Sequence, residues 1–281
     1  MDYLIFNDKL IKEDKACISP QDRGFRYGDG IFDTIIIKNS KLYQWEWHLA
    51  RIEKGLNAVK INYNTCNLQS LSKKLLKKNN IKNGLLRIQI TRGIGGRGYM
   101  PQQGINPTVI IETMEKPQLK EKYASLWLSS YKKISTDMLP VQYKLCQGLN
   151  STLARIEAIE NECFDALLLN NKNEICETSS ANIFWLKDNI LHTPSLSCGM
   201  LEGSIRATLI KLYKNEEGKV KEVAATINEL KSADAVFITN VAWKILPIIQ
   251  IQPIELKWQY QNVIKLIEPI NNLLEIDIEK T

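Results

Sequence analysis

The residues that point most directly to chemistry are a lysine and a glutamate that occur 33 positions apart, Lys144 and Glu177. Lys144 stands just ahead of an amphipathic helical pattern, and Glu177 lies in a polar stretch with the pattern of a strand. An imine-forming pyridine cofactor needs such a pair, because the amine holds the aldehyde of pyridoxal phosphate and the carboxylate keeps the ring nitrogen protonated. The pair therefore indicates pyridoxal-phosphate chemistry, and its surroundings must support that reading.

Length and composition place the chain among ordinary folded proteins. Its 281 residues are enough for a sizeable core and for two domains, and 44% of them are hydrophobic and 24% charged. The formal charge of +6 comes from scattered lysines such as Lys73 and Lys77, with no basic stripe interleaved with aromatic residues. We therefore expect a mild attraction for anionic substrates and no binding of nucleic acid.

Several classes of protein are disfavoured by what the sequence lacks. The N-terminus has no basic region followed by a long apolar region, and no apolar run is long enough to span a bilayer, so we expect a cytoplasmic protein with no membrane partner. The six cysteines include no C-x-x-C pair, and only two histidines occur, His48 and His192. No metal is expected, and catalysis must therefore use Lys, Arg, Tyr, Thr or carboxylate groups.

The pattern of apolar residues predicts an α+β protein of two domains. We predict a small N-terminal α+β domain over residues 1–114, a polar linker over 115–122 that contains Pro117, and a larger C-terminal cofactor-binding domain over 123–281. In the first domain we predict strands at 3–6, 9–11, 30–38, 42–43, 86–90 and 108–112 and helices at 46–59 and 68–78.

In the second domain, strands are predicted at 125–129, 165–170, 174–179, 182–187, 190–192, 220–224 and 235–239. Helices are predicted at 150–161, at 204–213 and from about residue 258. Pro269 is expected to kink or end the last helix.

Two glycine-containing segments could bind anions. Gly203-Ser204-Ile205 opens a predicted helix, and the N–H groups at a helix start suit a phosphate. The run Gly93 to Gly98 is similar to a nucleotide-binding loop, but it follows a strand without opening a helix, so a dinucleotide site is disfavoured.

Seven motifs occur in a fixed order: residues 22–34 (DRGFRYGDGIFDT), 48–51 (HLAR), 91–99 (TRGIGGRGY), Lys144 with its helix, 177–182 (ETSSAN), 203–206 (GSIR) and Thr239-Asn240. In this order and spacing, the chain resembles the branched-chain/D-amino-acid aminotransferase superfamily, the fold-type IV pyridoxal-phosphate enzymes. Within it, the chain is most similar to the 4-amino-4-deoxychorismate lyases. The resemblance implies a small N-terminal α/β sandwich and a larger C-terminal domain built around a β-barrel-like sheet.

The resemblance also implies roles for individual residues. Lys144 matches the imine-forming lysine, and Glu177 matches the glutamate that pairs with the ring nitrogen of pyridoxal 5'-phosphate. The cofactor phosphate is assigned to the backbone of Ser204 and Ile205, to Thr239 with Asn240, and to the guanidinium of Arg51. Phe32, Arg97 and Tyr99 match substrate-binding positions, and the last two reach the substrate carboxylate, often in the partner subunit's site. A homodimer acting on a small amine substrate with a carboxylate is therefore expected.

The choice between a lyase and a transaminase depends on few positions. Thr34 matches a threonine thought to assist proton delivery in the lyase, where branched-chain aminotransferases have glycine, and Leu149 stands where those enzymes place a tyrosine. Phe32 and Tyr99 differ from the tyrosine and histidine usual in D-amino-acid transaminases. Gln147 and the stretch 241–244 depart from the usual lyase sequence. The resemblance implies a lyase that releases 4-aminobenzoate and pyruvate in the folate pathway, and a class IV aminotransferase acting on D-amino or branched-chain amino acids with 2-oxoglutarate is the alternative.

Overall fold

The computed structural model describes residues 2–281, and the chain forms two compact units. The first unit comprises Met1–Lys116, Tyr143–Gly148 and Thr281, and the second comprises Pro117–Gln142 and Leu149–Lys280. The segment Tyr143–Gly148 thus departs from the predicted boundary, which placed residues 123–281 in one domain, because its backbone pairs with a strand of the first unit.

The first unit is a six-stranded antiparallel sheet covered by helices, with the strand order β2-β1-β6-β5-β3-β4. Apolar side chains of α2 and α3, such as Ile52 and Leu75, share one core with strand residues such as Ile35 and Ile88. The elements are β1 Tyr3–Phe6, β2 Lys9–Lys12, α1 Arg23–Tyr27, β3 Gly30–Lys38, β4 Lys41–Leu42, α2 Trp45–Ala58, α3 Leu68–Lys78, β5 Gly84–Thr91 and β6 Thr108–Met114.

Strand β3 sorts its side chains onto two faces because successive residues of a strand point in opposite directions. Ile31 and Ile35 belong to the core under the helices, and Asp33 between them is equally buried. Phe32 and Thr34 alternate with these residues and are partly exposed on the other face. The first face thus supports the fold, and the second is available to a ligand.

The second unit is built on a nine-stranded sheet with the order β12-β11-β10-β13-β14-β7-β8-β9, to which β15 adds beside β14. Its strands are β7 Ala124–Leu128, β8 Asp165–Leu169, β9 Ile175–Thr178, β10 Asn182–Lys187, β11 Ile190–Pro194, β12 Lys219–Val223, β13 Ala235–Asn240, β14 Lys244–Gln252 and β15 Leu256–Lys257. Its helices are α4 Leu149–Glu160, α5 Ser204–Asn215 and α6 Tyr260–Glu279.

Six of these strands close into a barrel. Strand β9 pairs with β8 on one side and meets β10 on the other, where Glu177 is the Cα partner of Asn182. The ring β10-β13-β14-β7-β8-β9 therefore has no open edge, and the expected barrel-like sheet of the larger unit is confirmed. Its interior is filled by apolar residues such as Leu167, Ile183 and Ile248.

Two features of the second unit differ from the expectations, and both concern proline. Strand β14 was not predicted, yet Pro247 lies inside it opposite Phe237. The missing N–H of Pro247 is tolerated because pairing with β7 begins only at Ile248. Of the two effects expected of Pro269, an end of the helix is contradicted. Helix α6 continues to Glu279, because its apolar side is buried through Val263, Ile267, Ile270, Leu274 and Ile278.

None of the helices within residues 2–281 is long and apolar enough to cross a membrane.

Candidate active site

Lys144 is held against the beginning of β3 by backbone hydrogen bonds. The N–H of Phe32 donates to the carbonyl of Lys144 at 2.9 Å, and the N–H of Cys146 donates to the carbonyl of Gly30 at 2.9 Å. Strand β4 pairs only with the far end of β3, so this part of the strand edge is open to the Lys144 segment. The sheet therefore fixes the backbone from which the Lys144 side chain extends.

The amine of Lys144 lies over the ligand-accessible face of β3. Its Nζ atom is 4.6 Å from the centroid of the Phe32 ring. Thr34 shares that face two residues further on, and its Cα partner Arg87 on β5 places a guanidinium 4.5 Å from the same ring. The structure therefore brings the predicted Lys144, Phe32 and Thr34 to one face of the first unit.

Arg87 was not predicted as a site residue. The strand pattern contains the signal, since Arg87 and Gln89 alternate with the buried Leu86, Ile88 and Ile90. A positive charge beside Phe32 adds a group that can attract a carboxylate.

Arg51 is buried on the other side of β3, where it forms a cluster with Asp33 and His48. Its Nε and Nη2 atoms donate to the two carboxylate oxygens of Asp33 at 2.8 and 2.6 Å, and His48 Nδ1 lies 2.9 Å from Asp33 Oδ1. Burial opposes ionisation of Asp33, but the charges and hydrogen bonds of Arg51 and His48 outweigh it, so the pKa of Asp33 lies well below its ordinary value. The guanidinium of Arg51 is thus firmly oriented by two of its nitrogen atoms.

Arg97 and Tyr99 lie at the exposed end of the loop between β5 and β6. The side chain of Tyr99 is 88% exposed and that of Arg97 is also exposed, and the described residues between Thr91 and Thr108 form no helix. The absence of a helix agrees with the sequence argument against a dinucleotide site.

Glu177 occupies a buried position in the second unit with both carboxylate oxygens engaged. Its Oε1 atom pairs with Nζ of Lys133, and its Oε2 atom accepts hydrogen bonds from the Leu201 N–H at 3.1 Å and from Asn182 Nδ2 at 3.5 Å. The side chains of Lys133 and Glu177 are only 13% and 8% exposed. Lys133 was not predicted, because in the sequence it is one of two adjacent lysines with no feature that distinguishes it from a surface residue.

Asn182 connects the predicted ligand-binding parts of this unit. Across the sheet it is the Cα partner of Thr239 on one side and of Glu177 on the other. A Cβ atom built on Gly203, the residue before α5, would lie 2.1 Å from Asn182 Oδ1, so the helix start approaches Asn182 closely. The sequence placed Asn182 in a motif without a role, and the structure makes it the residue around which Glu177, Thr239 and the start of α5 assemble.

The start of α5 and the end of β13 carry polar groups without partners. Ser204 Oγ and Thr239 Oγ1 are both buried and have no hydrogen-bond partner within residues 2–281. Gly203 supplies no side-chain cap to α5, and Ile205 is buried. Buried hydroxyls and helix N–H groups that lack acceptors fit an anion such as a phosphate.

Asn240 contributes differently from Thr239. Its Oδ1 atom accepts from the N–H groups of Ala242 and Trp243 at 2.9 and 3.1 Å, and its Nδ2 atom donates to the carbonyl of Ser180 at 3.3 Å. Because these bonds form the turn after β13, the side chain of Asn240 fixes the end of that strand.

The two units therefore supply different chemistry. The first offers an amine, a hydroxyl and guanidinium groups, and the second offers a fixed carboxylate and an anion-binding helix start. The residues the structure describes include no group of three His, Cys, Asp or Glu side chains that could hold a metal ion.

The family model and the similar proteins found by comparison indicate one and the same family. A family model described as amino-transferase class IV matches residues 30–251. A Methanocaldococcus jannaschii protein with the provisional name of branched-chain-amino-acid aminotransferase is 31% identical over 88% of this chain and 87% of its own length. The aminodeoxychorismate lyase of Bacillus subtilis is 30% identical over 88% and 86%, and the D-alanine aminotransferase of Bacillus licheniformis is 27% identical over 88% and 88%.

Solved structures show the same fold. The branched-chain amino acid aminotransferase of Escherichia coli superposes with a TM-score of 0.88 at 23% identity, over 97% of this chain and 94% of that one. The 4-amino-4-deoxychorismate lyase of Pseudomonas aeruginosa gives a TM-score of 0.86 at 24% identity, over 98% and 99%. The predicted fold class is confirmed.

Proposed function

Because the chain belongs to the class IV aminotransferase family, whose members are pyridoxal-phosphate-dependent enzymes, we propose that it is a 4-amino-4-deoxychorismate lyase of the folate pathway. The reaction releases 4-aminobenzoate and pyruvate. The observation that carries the choice of a lyase is Thr34, whose side chain shares a face of β3 with Phe32, the residue that Lys144 Nζ approaches to 4.6 Å. A hydroxyl at that place suits a proton transfer that a transaminase does not require.

The proposed cofactor site uses residues whose surroundings fit pyridoxal 5'-phosphate. When bound, this cofactor supplies an aldehyde that bonds to amines and a ring that accepts the electron pair left when a neighbouring carbon loses a proton. Glu177, fixed by Lys133 and Asn182, is the carboxylate for the ring nitrogen. The phosphate is assigned to the unpartnered hydroxyls of Ser204 and Thr239 and to the backbone N–H groups of Ile205 and Asn240. Arg51 stays a phosphate ligand only as the resemblance implies, because its guanidinium binds Asp33 on the opposite side of β3 from Lys144.

Five residues of the first unit act on the substrate in this proposal. Lys144 Nζ would hold the cofactor aldehyde, and as a free amine it would take the proton from the substrate carbon that bears the amine. Thr34 Oγ1 passes a proton to the enolpyruvyl methylene as pyruvate leaves. Phe32 packs against the substrate ring, and Arg97 and Tyr99 bind the carboxylate.

A class IV aminotransferase acting on D-amino or branched-chain amino acids with 2-oxoglutarate is the second candidate. It is favoured by relatives of comparable similarity with those names. Lys144 and Glu177 would act in the same way, and Thr34 would have no chemical role.

The deciding experiment offers the purified protein its two kinds of substrate. One reaction contains aminodeoxychorismate alone, and the others contain D-alanine or L-leucine with 2-oxoglutarate. Release of 4-aminobenzoate and pyruvate without a keto-acid acceptor supports the lyase, and Thr34→Val should then lower the rate about 10²-fold or more, as expected for loss of a positioned proton donor. Glutamate formation that depends on 2-oxoglutarate, with no 4-aminobenzoate, contradicts it.

The role of Lys144 can be tested independently of the substrate. Borohydride treatment of the protein with pyridoxal 5'-phosphate should fix a pyridoxyl group on Lys144, located by peptide mass spectrometry. Lys144→Ala should abolish this label, and Lys132→Met, which removes an exposed lysine, should leave it unchanged. A label on any other lysine contradicts the assignment.

We also propose a cytoplasmic homodimer. Phe25, Ile94, Tyr99 and Met100 of the first unit are large apolar or aromatic side chains that are more than half exposed, which is characteristic of an interface. All six cysteines are free, which suits a reducing compartment. Light scattering should give twice the 32.2 kDa of one chain, and a fully active monomer would contradict the proposal.

A further inference from the structure

The loop formed by residues 92–99, which carries Arg97 and Tyr99, is held in place by one buried arginine from another part of the chain. The guanidinium of Arg23 donates from Nη1 to the carbonyl of Gly98 at 3.0 Å and from Nη2 to the carbonyl of Tyr99 at 3.1 Å. Arg23 is only 3% exposed, although the residues it holds are on the surface. Because the buried charge of Arg23 binds two carbonyls of an exposed loop, Arg23 holds this loop and does not merely fill the core.

A third hydrogen bond and a contact with an aromatic ring fix the orientation of the Arg23 guanidinium. Its Nε atom donates to Asp29 Oδ2 at 2.9 Å, and its carbon lies 4.9 Å from the centroid of the Tyr27 ring. The Tyr27 ring is in turn 5.6 Å from the ring of Tyr99. Arg23 is therefore oriented before it meets the loop, and it binds the loop at the two residues that follow Arg97.

The start of the loop has a separate anchor. Arg92 donates to both oxygens of Asp29 at 2.7 and 2.9 Å and to the carbonyls of Val59 and Lys60 after α2. Burial opposes ionisation of Asp29, but the hydrogen bonds from Arg92 and Arg23 outweigh it, so the pKa of Asp29 is lowered. The Asp29 carboxylate thus binds both Arg92 and Arg23, the two arginines that hold the two ends of the loop.

The residues of the loop cannot fix its conformation by themselves. Gly93, Gly95, Gly96 and Gly98 all have positive φ angles, and a Cβ added at Gly98 would meet nothing within 4 Å. A glycine with open space around it, as at Gly98, leaves the backbone many alternative conformations. The position of Arg97 between Gly96 and Gly98 therefore depends on contacts from outside the loop.

We propose that Arg23 is a positioning residue for substrate recognition: by binding the carbonyls of Gly98 and Tyr99, it holds the Arg97 and Tyr99 side chains where they meet the substrate carboxylate. The planar fork of a guanidinium is required, because one ammonium group cannot reach Asp29, Gly98 and Tyr99 together. This inference rests on the proposed function for the role of Arg97, but the ordering of the loop by Arg23 stands on the contacts alone.

The first test measures loop order without any substrate. Trypsin cleaves after Arg97 only when the loop opens, and loss of one charge-assisted hydrogen bond raises the population of the open form about tenfold or more. Arg23→Met and Arg23→Lys should therefore speed cleavage after Arg97 about tenfold, as followed by mass spectrometry under native conditions. Arg26→Met is the matched control, because Arg26 lies on the same helix but is exposed and donates only to the carbonyl of Pro20 among the described residues.

The second test measures recognition with aminodeoxychorismate as the substrate. Arg23→Lys should raise KM about tenfold with a much smaller change in kcat, because the catalytic groups are untouched. Adding Arg23→Lys to Arg97→Met should cause no further rise in KM, since the residue through which Arg23 acts is already gone.

The outcomes separate this inference from the proposed function. Wild-type cleavage rates in both Arg23 variants, or additive effects on KM in the double variant, would overturn the role of Arg23. A decrease in kcat equal to the change in kcat/KM, with unchanged cleavage, would also overturn it. If the wild-type protein does not turn over aminodeoxychorismate, the proposed function fails, and the cleavage rates still decide whether Arg23 orders the loop.

Discussion

At the scale of single residues, Lys133 and Glu177 show how a buried carboxylate is kept in one position. Lys133 pairs with one carboxylate oxygen of Glu177, and the Leu201 N–H and the Asn182 amide donate hydrogen bonds to the other. Removing one partner of a buried ion pair leaves an unpaired charge, which costs much more than the intact pair contributes. Lys133 should therefore matter as much to the proposed cofactor site as the glutamate itself.

Replacing Lys133 tests this dependence. Lys133→Met should lower the free energy of unfolding by about 3 kcal/mol, because Glu177 would be buried without its cation. The measurement is urea denaturation at neutral pH, combined with titration of pyridoxal 5'-phosphate, whose affinity should also fall. Lys132→Met is the control, since Lys132 is exposed and bonds Asn173, and equal stability of the two variants would show that the Lys133 ion pair is unimportant.

The cluster of Asp33, His48 and Arg51 makes a second prediction at this scale, with a defined pH dependence. Because the folded state lowers the pKa of Asp33, its stabilising effect is complete above the unfolded-state pKa of about 3.9 and is lost as the pH falls through the lower folded-state pKa. Asp33→Asn should cost about 3 kcal/mol of stability at pH 7, and this difference from wild type should shrink below about pH 4.

Denaturation curves measured between pH 7 and pH 2.5 check the sign of this effect. Asp137→Asn, at an exposed position, serves as the control and should follow the wild type at every pH. A stability difference between Asp33→Asn and wild type that grows on acidification would contradict the assignment.

At the scale of elements, the close approach of α5 to β10 makes Gly203 sensitive to a single methyl group. Gly203 has φ −75° and ψ 141°, which alanine adopts without strain, so its only conflict is the 2.1 Å contact with Asn182 Oδ1. Gly203→Ala should push Asn182 from its place beside Glu177 and Thr239. We expect the affinity for pyridoxal 5'-phosphate to fall at least about tenfold, equivalent to the loss of one hydrogen bond to a charged group.

Fluorescence titration with the cofactor measures this change. Gly148→Ala is the matched control, because its nearest neighbour outside the adjoining residues is the carbonyl of Cys146 at 4.0 Å. Unchanged cofactor affinity in Gly203→Ala would show that the helix start does not contribute to the site.

Most elements could be predicted from sequence because their patterns are local. Strand β3 and helix α3 occur where alternation and helical spacing predicted them. Strand β14 could not be predicted, since the apolar run around Pro247 has no alternation and its tolerance of proline depends on where β7 begins to pair. That α6 continues past Pro269 could not be predicted for a similar reason, because the packing of the helix outweighs the local cost of proline.

The site residues divide in the same way. Lys144, Glu177 and Ser204 could be proposed because motifs mark them. Lys133 and Arg87 could not, because their importance arises from neighbours distant in sequence, Glu177 and Phe32. The burial of Arg51 also could not be predicted from the sequence, because it depends on a contact with Asp33 in a different element.

At the scale of the whole molecule, the unpartnered hydroxyls of Ser204 and Thr239 mean that the protein without an anion bound there is less stable than it could be. A ligand that binds only the folded state stabilises it by about 2.7 kcal/mol at a concentration of 100 times its Kd. Pyridoxal 5'-phosphate at that concentration should therefore raise the melting temperature by about 5–10 °C for a chain of this size.

Differential scanning fluorimetry with increasing cofactor checks this shift. Ser204→Ala combined with Thr239→Val should reduce it, while the same variant without cofactor should lose little stability, because no hydrogen bond within residues 2–281 is broken at either hydroxyl. A full shift in the double variant would contradict the assigned phosphate site.

The pairing of the Lys144 segment with β3 limits how the protein can be dissected. A gene divided within residues 115–122 would give a C-terminal fragment that carries Lys144 but lacks the strand that receives it, and an N-terminal fragment with an uncovered strand edge. Neither fragment alone could present the amine correctly. A chimera that includes the Lys144 segment must therefore also include β3, or a replacement strand that can pair with Tyr143–Gly148.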